Sequence, residues 1–392
     1  LFSKEQLSNA HSKRDDVSSP VMSPTSGFQG SIEINGCRIG PGQPPYMVAE
    51  LSGNHGGKLE TALSLIDAAA DSGAHAVKIQ TFKADTITLD CNAPDFLIKE
   101  GLWDGRRLFE LYDEAHTPWE WHEALFERAR QRNITLFSSP FDVSAVEFLE
   151  KLDCPAYKIA SFEVTDIALI RKVTETGKPV IISTGMATLE EIEEAVATVA
   201  DAGGTQLCLL HCISGYPTPV EDCNLATLKD LQNRFSFPIG LSDHTLDSIV
   251  AVTSVALGAK LIEKHFVLDR LDGSVDAQFS LEPDAFLSLT RQCHQSWTAI
   301  GQPDYSLKSS EVSNRQFRRS LYIAKDVKAG EIFDHHNLRS VRPAHGLHPR
   351  HLEEFIGSRA AMDISAGTPL SWSHREKNET DFNRVQSKAG GV

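Results

Sequence analysis

Pro238-Ile239-Gly240-Leu241-Ser242-Asp243-His244 and Ala259-Lys260-Leu261-Ile262-Glu263-Lys264-His265 are two apolar, strand-like runs that each end on a histidine. Between them, Ser248 to Leu257 carries a helix-like pattern. Strand, helix, strand describes two neighbouring parallel strands, because a parallel pair needs a crossover between its members. The C-terminal ends of such strands would hold two imidazoles side by side, at the end of a barrel where enzymes of that architecture work. Neutral imidazole is the commonest protein metal ligand. Either histidine alone reads equally well as a satisfied core residue.

Outward from this pair the same alternation fills most of the chain. Strand-like runs stand at Tyr46–Leu51, Ala74–Thr81, Ile134–Ser138, Ala156–Ser161, Pro179–Thr184 and Gln206–Cys212, ahead of Pro238–Ser242 and Ala259–His265. Amphipathic stretches separate them, among them Leu59–Ser72, Trp119–Arg132, Leu189–Ala202 and Asn224–Phe235, with apolar residues at helical spacing. Gly73, Gly177, Gly203 and Gly258 stand where helix C-caps belong. Eight strands in strict alternation with helices predict an α/β fold, a (β/α)8 TIM barrel. Ser31 to Ile39 adds a β-hairpin ahead of it, with Asn35-Gly36 as its turn. Ala84 to Pro118 is too long for a plain connector, and long loops at a barrel mouth are usually functional.

The pattern divides the 392 residues into five segments. Residues 1–30 are polar and Ser-rich, lack the apolar core of a signal peptide, and read as a disordered tail. Residues 31–300 make the hairpin and barrel, 301–319 a polar linker, 320–378 a small mixed domain with repeated turn signals, and 379–392 a second disordered tail. A net charge of −15 argues against nucleic-acid or membrane-surface partners, so any anionic ligand must meet a local cluster of cations. No run is apolar for long enough to span a membrane. Seven scattered cysteines, none in a CxxC pair, suit the reduced core thiols of a cytoplasmic enzyme.

Polar residues gather at the strand ends where a barrel builds its active site. Glu50 is on the first strand, Lys78 and Gln80 on the second, and Lys158 with Ser161 and Glu163 on the fourth. Ser183 ends the fifth, Ser242 and His244 the seventh, and His265 the eighth. Burying an unpaired ammonium costs several kcal/mol or shifts its pKa, so inward-facing Lys78 and Lys158 need anions. Glu50 or Glu163 could supply them as structural ion pairs, and so could a ligand. Lysines and hydroxyls suit the oxygens of a phosphorylated carboxylate, and two imidazoles suit a divalent Lewis acid. No Walker-type loop or dinucleotide fingerprint is present, which argues against a nucleotide enzyme.

Ala49–His55 (AELSGNH), Val77–Thr81 (VKIQT), Ala156–Ser161 (AYKIAS), Ile182–Met186 (ISTGM), Gly240–Thr245 (GLSDHT) and Ile262–Phe266 (IEKHF) all resemble the sialic acid synthase family. The segment around Val341-Arg342-Pro343 resembles that family's antifreeze-like (SAF) domain. Leu102-Trp103-Asp104-Gly105, Thr117–His122, Ser161-Phe162-Glu163 and Phe279-Ser280-Leu281 look most like the pseudaminic branch. The resemblance implies condensation of phosphoenolpyruvate with the open-chain aldehyde of an N-acetylated deoxy-hexose, giving a nine-carbon α-keto acid and phosphate. It implies that His244 and His265 hold a divalent metal, Mn2+ first, with Mg2+ or Co2+ as alternatives. Lys78, Lys158, Ser161, Ser183 and Ser242 would bind phosphoenolpyruvate. Glu50 would be the acid/base at the aldehyde oxygen, with Glu163 a second candidate, and Gln80, Tyr216 and Asp276 would meet the sugar. Arg342, from the SAF domain of a second copy, would close the site in a domain-swapped homodimer.

Sialic acid synthases carry an Asn after the strand-six His-Cys, where this chain reads Ile213-Ser214-Gly215-Tyr216. That departure favours 2,4-diacetamido-2,4,6-trideoxy-L-altrose over N-acetylmannosamine. N-acetylneuraminate or legionaminate synthesis is the near alternative. A Schiff-base aldolase using Lys158 or Lys264 is a second enzyme class. A non-catalytic carbohydrate- or surface-binding protein is a third reading, although the charged C-terminal domain lacks the flat, Thr-rich face that ice binding wants.

Overall fold

The structure, a computed structural model, describes residues 27–376. The tails expected at 1–30 and 379–392 lie outside them, apart from residues 27–30. The chain splits after Gly301 into two compact units.

In the first unit, β1 (Ile32–Ile34) and β2 (Cys37–Ile39) form an antiparallel hairpin. Asn35 and Gly36 turn it at φ 48° and 78°, the two positive values that a type I′ turn needs. Ile32, Ile34 and Ile39 are buried in the barrel's core cluster. Phe28 packs edge-on against Phe237 (5.0 Å), and Gln29 N–H donates to Thr205 O (2.8 Å). Phe28 and Gln29 are therefore docked on the barrel, where the sequence pattern places them in a tail, because an aromatic ring there has a partner.

β3 (Tyr46–Glu50), β4 (Ala76–Thr81), β5 (Thr135–Pro140), β6 (Tyr157–Ile159), β7 (Val180–Ser183), β8 (Leu207–Cys212), β9 (Ile239–Asp243) and β10 (Leu261–His265) pair in parallel, each with the next. β10 closes on β3, making the expected barrel. Gln80 alone among their residues is half-buried and the others are buried, as expected where both faces of a parallel sheet are covered. β6 is shorter than the sequence pattern implies, because the chain enters a 3-10 turn at Ser161–Glu163. Similarly, the run from Trp119 begins as a 3-10 turn (Trp119–Trp121) before the α-helix His122–Gln131. The long insertion contains the helices Ala84–Ile87 and Leu108–Ala115.

Beyond β10, Phe266 bridges to Leu281, and the helix Pro283–Ile300 brings Phe286 edge-on against Phe266 at 5.3 Å. In the second unit, β11 (Ser320–Ile323) pairs antiparallel with β12 (Leu338–Val341). Leu321, Ile323, Phe333, Leu338 and Phe355 form its separate core. No described helix is long and apolar enough to cross a membrane. All seven cysteines are free thiols.

Phe286 is fully buried behind the residue that follows His265. Phe286→Ala should cost about 3–5 kcal/mol through lost burial and the cavity left behind. Urea unfolding should show this as a lower midpoint with an unchanged slope.

Candidate functional site

Interior positions of β3, β4, β6 and β10 put four ionisable groups into one throat. Lys78 Nζ lies 2.8 Å from Glu50 Oε2 and 3.5 Å from Glu263 Oε1, and Lys158 Nζ lies 4.0 Å from the same Glu263 oxygen. The strand register sets this up, with Glu50 opposite Lys78, His265 opposite Glu50, and Glu263 opposite Ser242. Hydroxyls take further bonds: Lys78 donates to Ser139 Oγ (3.2 Å), Lys158 to Ser183 Oγ (2.6 Å), and Ser242 to Glu263 Oε1 (3.3 Å). The lysines are thus paired with Glu50 and Glu263, and Glu163 is in neither pair.

Burial pushes the Glu50 carboxyl up; Lys78 opposes this and the Glu263 charge reinforces it. Burial opposes ionisation of Glu263 too, but Lys158 and Lys78 outweigh it and hold that carboxyl down. Burial lowers Lys158 against the pull of Glu263, whereas Glu263 and Glu50 overcome burial to raise Lys78. One carboxylate is shared between two ammoniums, and Glu50 is the more easily protonated of the two acids.

His244 and His265 stand at the rim with ring centroids 5.3 Å apart. His244 Nδ1 donates to Ile213 O (2.9 Å). Burial opposes protonation of this ring, but Cys212 beside it outweighs burial and holds its pKa above the usual imidazole value, and Nε2 would offer a lone pair once the ring is neutral. His265 Nδ1 is buried with no hydrogen-bond partner, 3.9 Å from Asp276 Oδ2. Burial and the neighbouring cations hold the His265 ring well below the usual imidazole range, in the neutral form that ligates metals. The two rings fit a divalent ion as a pair of nitrogen ligands. Among the described residues no group of three His, Cys, Asp or Glu has metal-holding geometry. Aromatic rings wall this seat: Tyr216 packs on His244 (4.6 Å), Phe279 on His265 (4.9 Å), and Trp103, from the insertion, on Tyr216 (5.9 Å).

Beside the histidines, Gln80 donates to Glu50 Oε1 (2.8 Å) and to Ser52 Oγ (3.3 Å), and the Ser52 hydroxyl donates to Asp276 Oδ2. Across the mouth, Gly185 N–H donates to Ser161 Oγ (3.1 Å). A Cβ on Gly185 would stand 2.7 Å from Ser161 Oγ and collide with Ser214 Oγ, so only glycine permits this close approach of backbone and hydroxyls. Glu163 Oε2 is buried without a hydrogen-bond partner. Burial pushes its carboxyl up to about 7; Lys158 opposes the shift and Asp166 adds to it.

Glu50, Lys78, Gln80, Lys158, Ser183, Ser242, His244, His265 and Asp276 thus meet at one end of the barrel, with Ser161, Glu163 and Tyr216 on adjoining loops. Arg342 is exposed in the second unit, just past β12. Sequence reasoning gave no role to Glu263, Ser139, Ser52 or Gly185. Period-two alternation could have found Glu263, two positions before His265 on the same face. Ser52 leaves no such signal.

The NeuB family model matches residues 65–305, and the SAF domain model matches residues 318–374. Pseudaminic acid synthase of Campylobacter jejuni (strain 81-176) is 45% identical over 328 residues, covering 84% of this chain and 96% of the relative. Pseudaminic acid synthase of Helicobacter pylori is 41% identical over 337 residues, covering 86% and 99%. Among solved structures, the N-acetylneuraminic acid synthetase of Leptospira borgpetersenii, in complex with citrate, superposes with a TM-score of 0.65 at 31% identity, covering 72% of this chain and 94% of that one.

The displaced Glu163 carboxyl has a consequence for stability. Between the ordinary carboxyl value near 4.5 and about 7, the folded chain keeps a proton that the unfolded chain has released. Stability therefore falls as pH rises through that window and levels off above it. Glu163→Gln, always neutral, removes this slope. Calorimetry should find the variant melting with wild type near pH 4.5 and a few degrees above it at pH 8.

Proposed function

The chain belongs to the NeuB family and carries a SAF domain, and from that premise we propose that it is a pseudaminic acid synthase. It condenses phosphoenolpyruvate with 2,4-diacetamido-2,4,6-trideoxy-L-altrose to give a nine-carbon α-keto acid and phosphate. The observation that carries this reading is the throat of two lysines and two glutamates set beside paired imidazoles. Similarity to two pseudaminic acid synthases supports the choice of sugar.

In this proposal Lys78 and Lys158, with Ser161, Ser183 and Ser242, bind the phosphate and carboxylate of phosphoenolpyruvate. Glu50, which burial favours in its protonated form, gives a proton to the aldehyde oxygen as the enol carbon bonds to the aldehyde carbon. Water adds at the phosphate-bearing carbon and returns one proton to Glu50, and phosphate leaves with the electrons of its C–O bond and the second proton as the new hydroxyl becomes the keto group. Glu163 is the second acid/base candidate. Gln80, Tyr216 and Asp276 hold the sugar. His244 and His265 would hold a divalent ion, Mn2+ or in its place Mg2+ or Co2+, whose chemistry when bound is polarisation of the aldehyde. Seven free thiols suit a reducing, cytoplasmic setting. The partner subunit's Arg342 closes the mouth in a domain-swapped homodimer.

Phosphate release should be assayed with the diacetamido trideoxy altrose, N-acetylmannosamine and the legionaminate precursor, with products identified by mass. The first should show the highest kcat/KM; preference for another sugar would make the chain an N-acetylneuraminate or legionaminate synthase instead. Exhaustive chelation should abolish turnover and added Mn2+ restore it, whereas full activity after chelation excludes the metal role.

Mixed dimers test the exchange of domains. His244→Ala and Arg342→Ala chains should each be nearly inactive alone. Unfolding and refolding them together in equal amounts should recover about a quarter of wild-type activity, because half the dimers then hold one intact site. No recovery would place both residues of each site in the same chain.

A further inference from the structure

Ser52 holds a backbone conformation that its side chain discourages. Asn54 N–H donates to Leu51 O (3.0 Å), closing a tight turn just past β3, and Ser52 forms the first corner of that turn at φ 47°. Glycine is the residue that ordinarily fills such a corner, because an L side chain is strained there. The neighbouring Gly53 cannot exchange roles with it, since a Cβ on Gly53 would come within 3.2 Å of Ala115 Cα. Ser52 is only 3% exposed, so hydration does not offset the strain.

The hydroxyl does have partners, and they come from opposite sides of the mouth. It accepts from Gln80 Nε2 (3.3 Å) and donates to Asp276 Oδ2. Gln80 uses its remaining N–H on Glu50 Oε1 (2.8 Å). With both N–H groups committed, the amide of Gln80 has only its carbonyl oxygen left to offer. The Asp276 carboxylate, which also accepts from the Gly53 N–H, likewise keeps acceptor capacity beyond these bonds. The hydroxyl therefore sets a direction of hydrogen bonding that leaves acceptors, not donors, on both residues. The Asp276 backbone is fixed independently: Ser280 Oγ donates to Asp276 O (2.7 Å), and the Trp103 indole N–H donates to Val275 O (3.3 Å). Loss of the Ser52 hydroxyl would thus loosen both side chains without releasing the loop, leaving Gln80 its bond to Glu50 and Asp276 its bond from the Gly53 N–H.

We propose that Ser52 is a positioning residue for the acceptor sugar, orienting Gln80 and Asp276 to accept hydrogen bonds from its hydroxyl and acetamido N–H groups. The strained corner is retained for that hydroxyl, as strain at a functional site commonly is. This rests on the preceding reading that Gln80 and Asp276 meet the sugar. It adds that Ser52 governs sugar affinity and leaves phosphoenolpyruvate binding alone.

Two variants separate the hydroxyl from the strain. Ser52→Gly removes both, and Ser52→Ala removes the hydroxyl while keeping a Cβ at positive φ. Steady-state kinetics should use whichever N-acetylated aldose the wild-type enzyme turns over best, so that a wrong sugar overturns the preceding proposal and leaves this comparison intact. Both variants should raise KM for the sugar at least tenfold and keep KM for phosphoenolpyruvate within twofold of wild type. The Gly variant should melt about 2 °C above the Ala variant, through relief of the strain alone. An unchanged sugar KM in both folded variants, or an equal rise in KM for both substrates, would overturn the proposal.

Discussion

Two ammonium groups share one buried carboxylate in the barrel throat, and the rest of the site is arranged around keeping them satisfied. Lys78 and Lys158 are 3% and 2% exposed, so each would be costly without an anion beside it. Glu263 serves both, and Glu50 is left as the surplus acid for Lys78. That inequality separates the two carboxyls, one pulled down by two cations and the other pushed up by burial. Pairs of titratable groups with opposed shifts are how a single site comes to hold both an acid and a fixed charge.

Strand alternation carries this arrangement to the histidines. Lys264, between Glu263 and His265, sits on the opposite face of β10. Its ammonium donates to Asp243 Oδ2 (2.7 Å), Thr245 O (2.6 Å) and Asp247 O (2.9 Å). These bonds clamp the turn after β9 and so hold His244 at its post beside His265. They also leave Lys264 no freedom to attack a carbonyl. Lys158 is engaged with Ser183 and Glu263, next to the hydroxyls an anion would want. Lys158 is desolvated and its pKa is lowered by burial, but its ammonium is held by Ser183 and Glu263 rather than standing unpaired as a Schiff-base lysine would.

The barrel was legible because its signal is repeated eight times over, each strand ending where the next helix begins. The strand-end histidines and the inward lysines were legible for a related reason: polar residues inside apolar, period-two runs stand out. The pairing was harder to see. Glu50 and Glu163 both looked available to the lysines, and only the closed register, which brings β10 back onto β3, makes Glu263 the shared partner. Ser52 and Gly185 escaped notice for another reason. Their importance lies in a backbone angle and in a close approach between loops far apart in sequence, and neither leaves a periodic trace. Phe28 was assigned to a tail because a single ring in a polar stretch does not reveal its partner.

The charge in the throat bears on how the proposed reaction could begin. With two lysines and two glutamates ionised, the four groups are neutral together. Phosphoenolpyruvate would bring a charge of roughly −2.5 to −3, a carboxylate plus a phosphate monoester. Placing it against a neutral, water-poor wall is unfavourable unless positive charge is gained at the same time. Protonation of Glu50, the acid that burial already favours in its neutral form, leaves the throat one positive charge ahead. A divalent ion held by His244 and His265 would add two more, and the sum would then match the substrate. On this view the proton on Glu50, and any ion that His244 and His265 held, would serve first as conditions for binding the anion. The same proton would then be available to the aldehyde oxygen of the proposed sugar. Binding and acid catalysis would thus draw on one protonation event.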